Sequence, residues 1–143
     1  MAVKAVSEVY HGARLFTVEG EGATPVDVMS IPAGTLIKLV CVRVKTATTN
    51  NVNLRVGDDD TIDGFILAVA AFSAGALYGF DVDDFGSYLK ASVSCGAAGA
   101  DARVGIIGKF YTAAKTLKLV LTGAGGASPG IFQVMVELLS FPL

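Results

Sequence analysis

The stretch that most restricts the fold runs from Ile31 to Val56. Pro32 and Gly34 break its start, and an aliphatic, β-branched run from Leu36 follows, interrupted only by Lys38, Arg43 and Lys45. Thr48-Thr49-Asn50-Asn51 then supplies turn residues, and Val52-Asn53-Leu54-Arg55-Val56 alternates apolar with polar. Apolar alternation bounded by residues that tolerate positive φ is the signature of a β-hairpin. A first strand that is apolar on nearly both faces predicts a central position between two packed layers.

The rest of the chain repeats this grammar. Val26-Asp27-Val28-Met29, Tyr88 to Cys95, Arg103 to Tyr111, Thr116 to Thr122 and Ile131 to Leu139 all read as short strands separated by Gly, Pro, Ser or Asp. Leu117, Leu119 and Leu121 share one face, as do Phe132, Val134, Val136 and Leu138. No stretch carries a capped amphipathic helix of three turns. The pattern predicts an all-β, single-domain β-sandwich of jelly-roll or related Greek-key topology over 25–143. Residues 1–24, interrupted by Gly12, Gly20 and Gly22, read as an N-terminal arm or edge strand.

Phe65 to Phe80 contains no charged residue. Sixteen apolar residues approach the length of a membrane span, but Asp63 and Asp81 bracket them and no cation flanks them, so a loop with a short strand or helical turn is expected and no membrane partner. With 52% hydrophobic and 17% charged residues, and a mean hydropathy of +0.60, the chain has more apolar surface than one small body readily hides. Some of it is expected against other subunits. Net charge is −2 and the cations are scattered, which leaves no footprint for nucleic acid.

The chemical inventory is thin. His11 is the only histidine, and Cys41 and Cys95 are the only cysteines, read as buried thiols; neither a catalytic triad nor a structural zinc site can be assembled from them. Asp59, Thr61 and Asp63 with Gly64 match the opening of a calcium loop, but Ala70 stands where the bidentate glutamate belongs, and a solvated acidic turn is the expectation. The 81–84 loop reads the same way. Gly123-Ala124-Gly125-Gly126 lacks the third glycine of a dinucleotide loop, Ser128 standing in its place. No catalytic, cofactor-binding or metal residue is assigned.

Ile31-Pro32-Ala33-Gly34-Thr35-Leu36 running into Val40-Cys41-Val42-Arg43-Val44, Val56-Gly57-Asp58 followed by Gly64-Phe65-Ile66, and Gly108 to Leu117 together resemble small virion proteins of tailed bacteriophages. The nearest likeness is to capsid cement or decoration proteins, over about residues 26–140. That resemblance implies a viral structural protein, made in the host cytoplasm, that sits on the virion surface, binds the major capsid protein and forms a homotrimer. No residue-level motif carries over. The expected subunit or capsid contacts are Tyr10, Leu15, Phe16, Phe65, Phe72, Leu77, Tyr78 and Phe80. The alternative is a tail- or head-associated module that binds a receptor glycan, against which the absence of Trp counts.

Overall fold

The computed structural model describes residues 10–20, 25–49, 52–71, 73–89, 91–94, 102–105, 108–123 and 130–141. Their strands, in chain order, are β1 (Tyr10–Gly20), β2 (Val26–Ile31), β3 (Thr35–Thr46), β4 (Val52–Gly57), β5 (Ile66–Ala70), β6 (Leu77–Tyr78), β7 (Ala91–Ser94), β8 (Ala102–Gly105), β9 (Lys109–Tyr111), β10 (Lys115–Gly123) and β11 (Gly130–Ser140). Among these residues the one helical element is a 3-10 turn at Val82–Asp84.

The pairing is nested. The first strand lies antiparallel to the last, β2 to β10, β3 to β9 and β6, and β4 to β5. Two sheets result, β1-β11-β3 with β6 and β9 beside β3, and β2-β10-β4-β5, while β7 and β8 form a separate ribbon. Two antiparallel sheets enclosing one core make the all-β sandwich that the sequence predicted.

The predicted hairpin is corrected by this arrangement. β3 and β4 lie in opposite sheets, because β11 occupies one edge of β3 and β6 with β9 the other, leaving no edge for β4. The chain instead crosses between sheets after Thr46, where buried Thr48 gives its N–H and hydroxyl to the Ala71 carbonyl at 3.2 and 3.3 Å. Asn50 and Asn51 lie outside the described residues.

β3 is central, as its composition required, and a bulge sets its inward face. Ile37 stands opposite Leu138 and Leu39 opposite Glu137, so Lys38 is the extra residue. The inward register therefore moves from Ile37 to Val40, Val42 and Val44, all fully buried. On β10 and β11 the predicted inward sets, Leu117, Leu119 and Leu121 with Phe132, Val134, Val136 and Leu138, are all in the core.

The charge-free run is split rather than continuous. Its first part is β5 in one sheet and its second is β6 in the other, and no helix of the described residues is long and apolar enough to cross a membrane. The expected strand from Arg103 to Tyr111 is also broken: Gly108 adopts φ +77°, and a Cβ there would lie 2.3 Å from the Ile37 carbonyl. Only glycine lets the chain turn there and lie down on β3 as β9.

Phe132 fills the space between the sheets with no solvent exposure. Phe132→Ala is expected to cost about 3–5 kcal/mol in stability, read as a lowered denaturant midpoint with an unchanged slope.

Candidate functional site

Strand alternation decides which side chains the first sheet turns outward. Leu15 of β1 lies opposite Met135 of β11, which lies opposite Cys41 of β3, so the three form one rung across the outer face. The next rung is Thr17, Gln133, Arg43 and Leu77. Leu15, Cys41, Leu77, Phe80 and Met135 line a shallow groove of about 160 Å³. Leu15, Leu77 and Phe80 are 65%, 59% and 63% exposed, which is unusual for residues of this size.

The loop carrying Leu77 and Phe80 is tied to β3. Gly75 N–H donates to the Val44 carbonyl at 2.7 Å, and Val44 N–H to the Ala76 carbonyl at 2.9 Å. Gly79, at φ +89°, approaches so closely that a Cβ would meet the Val40 carbonyl at 2.3 Å. Its carbonyl accepts the Cys41 thiol at 3.6 Å and its N–H donates to Asp84 at 3.1 Å. Burial, with Glu137 adding, pushes the Cys41 thiol up to about 11, so it is a protonated packing group rather than a nucleophile at neutral pH. A polar rim follows toward one end, where Glu137 meets His11 at 3.0 Å and Lys38 at 3.7 Å.

The structure thus gathers three of the eight expected contact residues, Leu15, Leu77 and Phe80, around one groove. Phe16 and Tyr78 pack partly buried against the core. Phe65 has no exposure and meets the Tyr88 ring edge-on at 5.1 Å, which makes it a core residue. Tyr10 begins β1, and Phe72 lies outside the described residues, as do Cys95 and 124–129. Met135 and Cys41 were not among the expected residues; the odd-numbered register of β11, opposite its inward set, was the available signal.

The acidic turn after β4 is not the solvated loop the sequence suggested. Asp58 is fully buried, and its carboxylate accepts Lys109 Nζ and Tyr111 OH at 2.7 Å and Tyr88 OH and the N–H groups of Asp60 and Thr61 at 2.9 Å. Lys109 Nζ also reaches Tyr88 OH at 2.6 Å and lies 3.9 Å from that ring's centre. Asp59 takes Lys118 at 2.8 Å and the Thr116 N–H at 2.8 Å, and Asp60 takes Lys115 at 2.8 Å. Of the three residues that matched the opening of a calcium loop, Asp59 is thus engaged by Lys118. Among the described residues no group of three or more His, Cys, Asp or Glu side chains is placed to hold a metal ion.

Burial of Asp58 by itself would raise its pKa, but the hydrogen bonds from Lys109, Tyr111, Thr61 and Tyr88 outweigh it and hold the group at about 2. Tyr111 moves up, from burial first and then from its bond to Asp58. Lys109 also ends above its ordinary value, because those bonds outweigh its own burial. The cluster can store charge in a fixed geometry; it offers no neutral base or acid poised near pH 7.

No protein-family model matches the sequence, and no curated protein matches it significantly. Two solved structures share its fold. A chain of the acidic stable capsid structure of Helicobacter pylori bacteriophage KHP30 overlays with a TM-score of 0.52 and 14% identity, covering 95% of this chain and 94% of that one. A chain of the cyanophage Pam1 capsid asymmetric unit overlays with a TM-score of 0.57 and 16% identity, covering 99% and 94%.

Because Asp58 is held below the ordinary 3.8, its contribution of about 2 kcal/mol is present above that value and is lost as pH falls toward about 2. Asp58→Asn is expected to lower stability at neutral pH by roughly 3 kcal/mol, leaving Lys109 without its buried counter-charge. The gap from wild type should narrow between about pH 4 and pH 2 in urea melts taken across that range.

Proposed function

We propose that this chain is a structural component of a phage virion that binds the outer surface of the capsid and cements the shell, with no catalytic role. The observation that carries the reading is the exposed apolar groove of Leu15, Cys41, Leu77, Phe80 and Met135, held on a rigid sheet face. Exposed apolar patches of this kind are interaction surfaces more often than accidents. End-to-end overlay with chains from two phage capsids supports the setting.

The physics of such a role asks for little chemistry. A ligand that binds only the assembled shell stabilises it by linkage, and weak contacts suffice when symmetry repeats them. The partner is then the major capsid protein, offering an apolar side chain to the groove and a polar rim to Glu137, Lys38 and Arg43. The 58–60 cluster, at the end of the sandwich away from this groove's loop, serves to keep the framework stiff.

Leu77→Asp and Phe80→Asp change exposed side chains and should leave the fold intact by circular dichroism. Each is expected to reduce co-sedimentation with capsids lacking the protein by at least about tenfold, the cost of burying an unpaired carboxylate. Undiminished co-sedimentation of both variants would remove the groove from the capsid contact, and glycan-array binding by the isolated protein would favour the receptor-binding alternative.

A further inference from the structure

β1 is a sheet edge of unusual length. Among the described residues it pairs only with β11, over eleven unbroken rungs from Tyr10 opposite Ser140 to Gly20 opposite Gly130. It has no proline, no lysine and no bulge, and its formal charges are Arg14, on the inner-face side, and Glu19. His11, Ala13, Arg14, Leu15, Thr17 and Glu19 are exposed along it. Arg14 and Glu19 have no ion-pair partner among the described residues.

We propose that β1 pairs antiparallel with β1 of a second copy about a two-fold axis at Leu15. The sequence is self-complementary in that register. Leu15 meets Leu15 once on the axis, while Ala13 meets Thr17, Arg14 meets Phe16, Gly12 meets Val18 and His11 meets Glu19, each of these four pairs occurring twice. Every pair joins residues of the same parity, so both sandwiches keep their inner and outer faces aligned.

The charges select this register. His11 already has Glu137 on its β11 side at 3.0 Å, and Glu19 of the second copy approaches it from the other. Arg14 lies on the inner-face side of the edge, where a random strand would meet an unpaired cation; here it meets an aromatic ring able to take it face-on. Sliding by two residues one way sets Arg14 against Arg14, and two the other way sets Glu19 against Ala13 instead of His11. The apolar groove also begins at Leu15, so pairing joins two grooves into one surface across the axis. Isologous closure of this kind gives a dimer, where the family resemblance implied a trimer.

Light scattering and sedimentation of the isolated protein test this without reference to capsids, so its failure leaves the capsid reading standing. The expected mass is twice the 14.7 kDa of one chain. Leu15→Glu, which sets two carboxylates against each other at an exposed position, should halve the mass while keeping the β-sheet spectrum. Leu15→Cys should cross-link to itself under mild oxidation, since directly opposed Cβ atoms lie about 4.5–5.5 Å apart, close to disulfide range. Thr17→Cys, opposite Ala13, should not. A wild-type protein that stays at one chain mass when concentrated, a threefold mass, a dimer indifferent to Leu15→Glu, or equal cross-linking by both cysteine variants would overturn the proposal.

Discussion

Everything in this fold depends on the pairing of β3 with β11. Those two strands lie at the middle of the first sheet, supply Val40, Val42, Val44, Phe132, Val134 and Val136 to the core, and fix which side chains the other face presents. The bulge at Lys38 lets β3 change face midway without leaving its partner. Residues 37 and 40 can therefore both be inward, and Cys41 can be outward beside Met135 and Leu15. Once that register is set, the neighbours have one place each.

Strand existence was legible because alternation was strong where a strand has one wet face. β10 and β11 show this most plainly, with every second residue apolar. Partner choice was not legible. A turn-rich segment between two strands looks the same whether the chain doubles back within a sheet or crosses to the opposite one, and β3 and β4 lie in opposite sheets. The charge-free run from Phe65 to Phe80 had no periodicity to read, since β5 is five apolar residues with one of them fully buried and β6 is only Leu77–Tyr78.

The Asp58 cluster was hidden for a different reason. Its side-chain to side-chain bonds join residues 21 to 53 apart, and a carboxylate after a strand end is the ordinary composition of a solvated turn. What distinguishes Asp58 is that Lys109 and Tyr111, flanking exposed Phe110 on a short strand, both turn toward it. A buried carboxylate surrounded by donors on three separate segments fixes those segments relative to each other more firmly than apolar packing alone. The outer groove was partly visible beforehand: the residue types were expected at an interface, while the rung that aligns Leu15, Met135 and Cys41 is a property of register.

The nested pairing has one consequence for engineering. Tyr10 lies beside Ser140, Ser140 beside Thr35, and Thr35 beside Tyr111, so the polypeptide enters and leaves the sandwich at the same pole. A body with neighbouring ends can be spliced into a surface loop of a host polypeptide without stretching either flank. In this sandwich Tyr10 and Ser140, paired across β1 and β11, mark the pole at which both flanks of such a host loop would meet it.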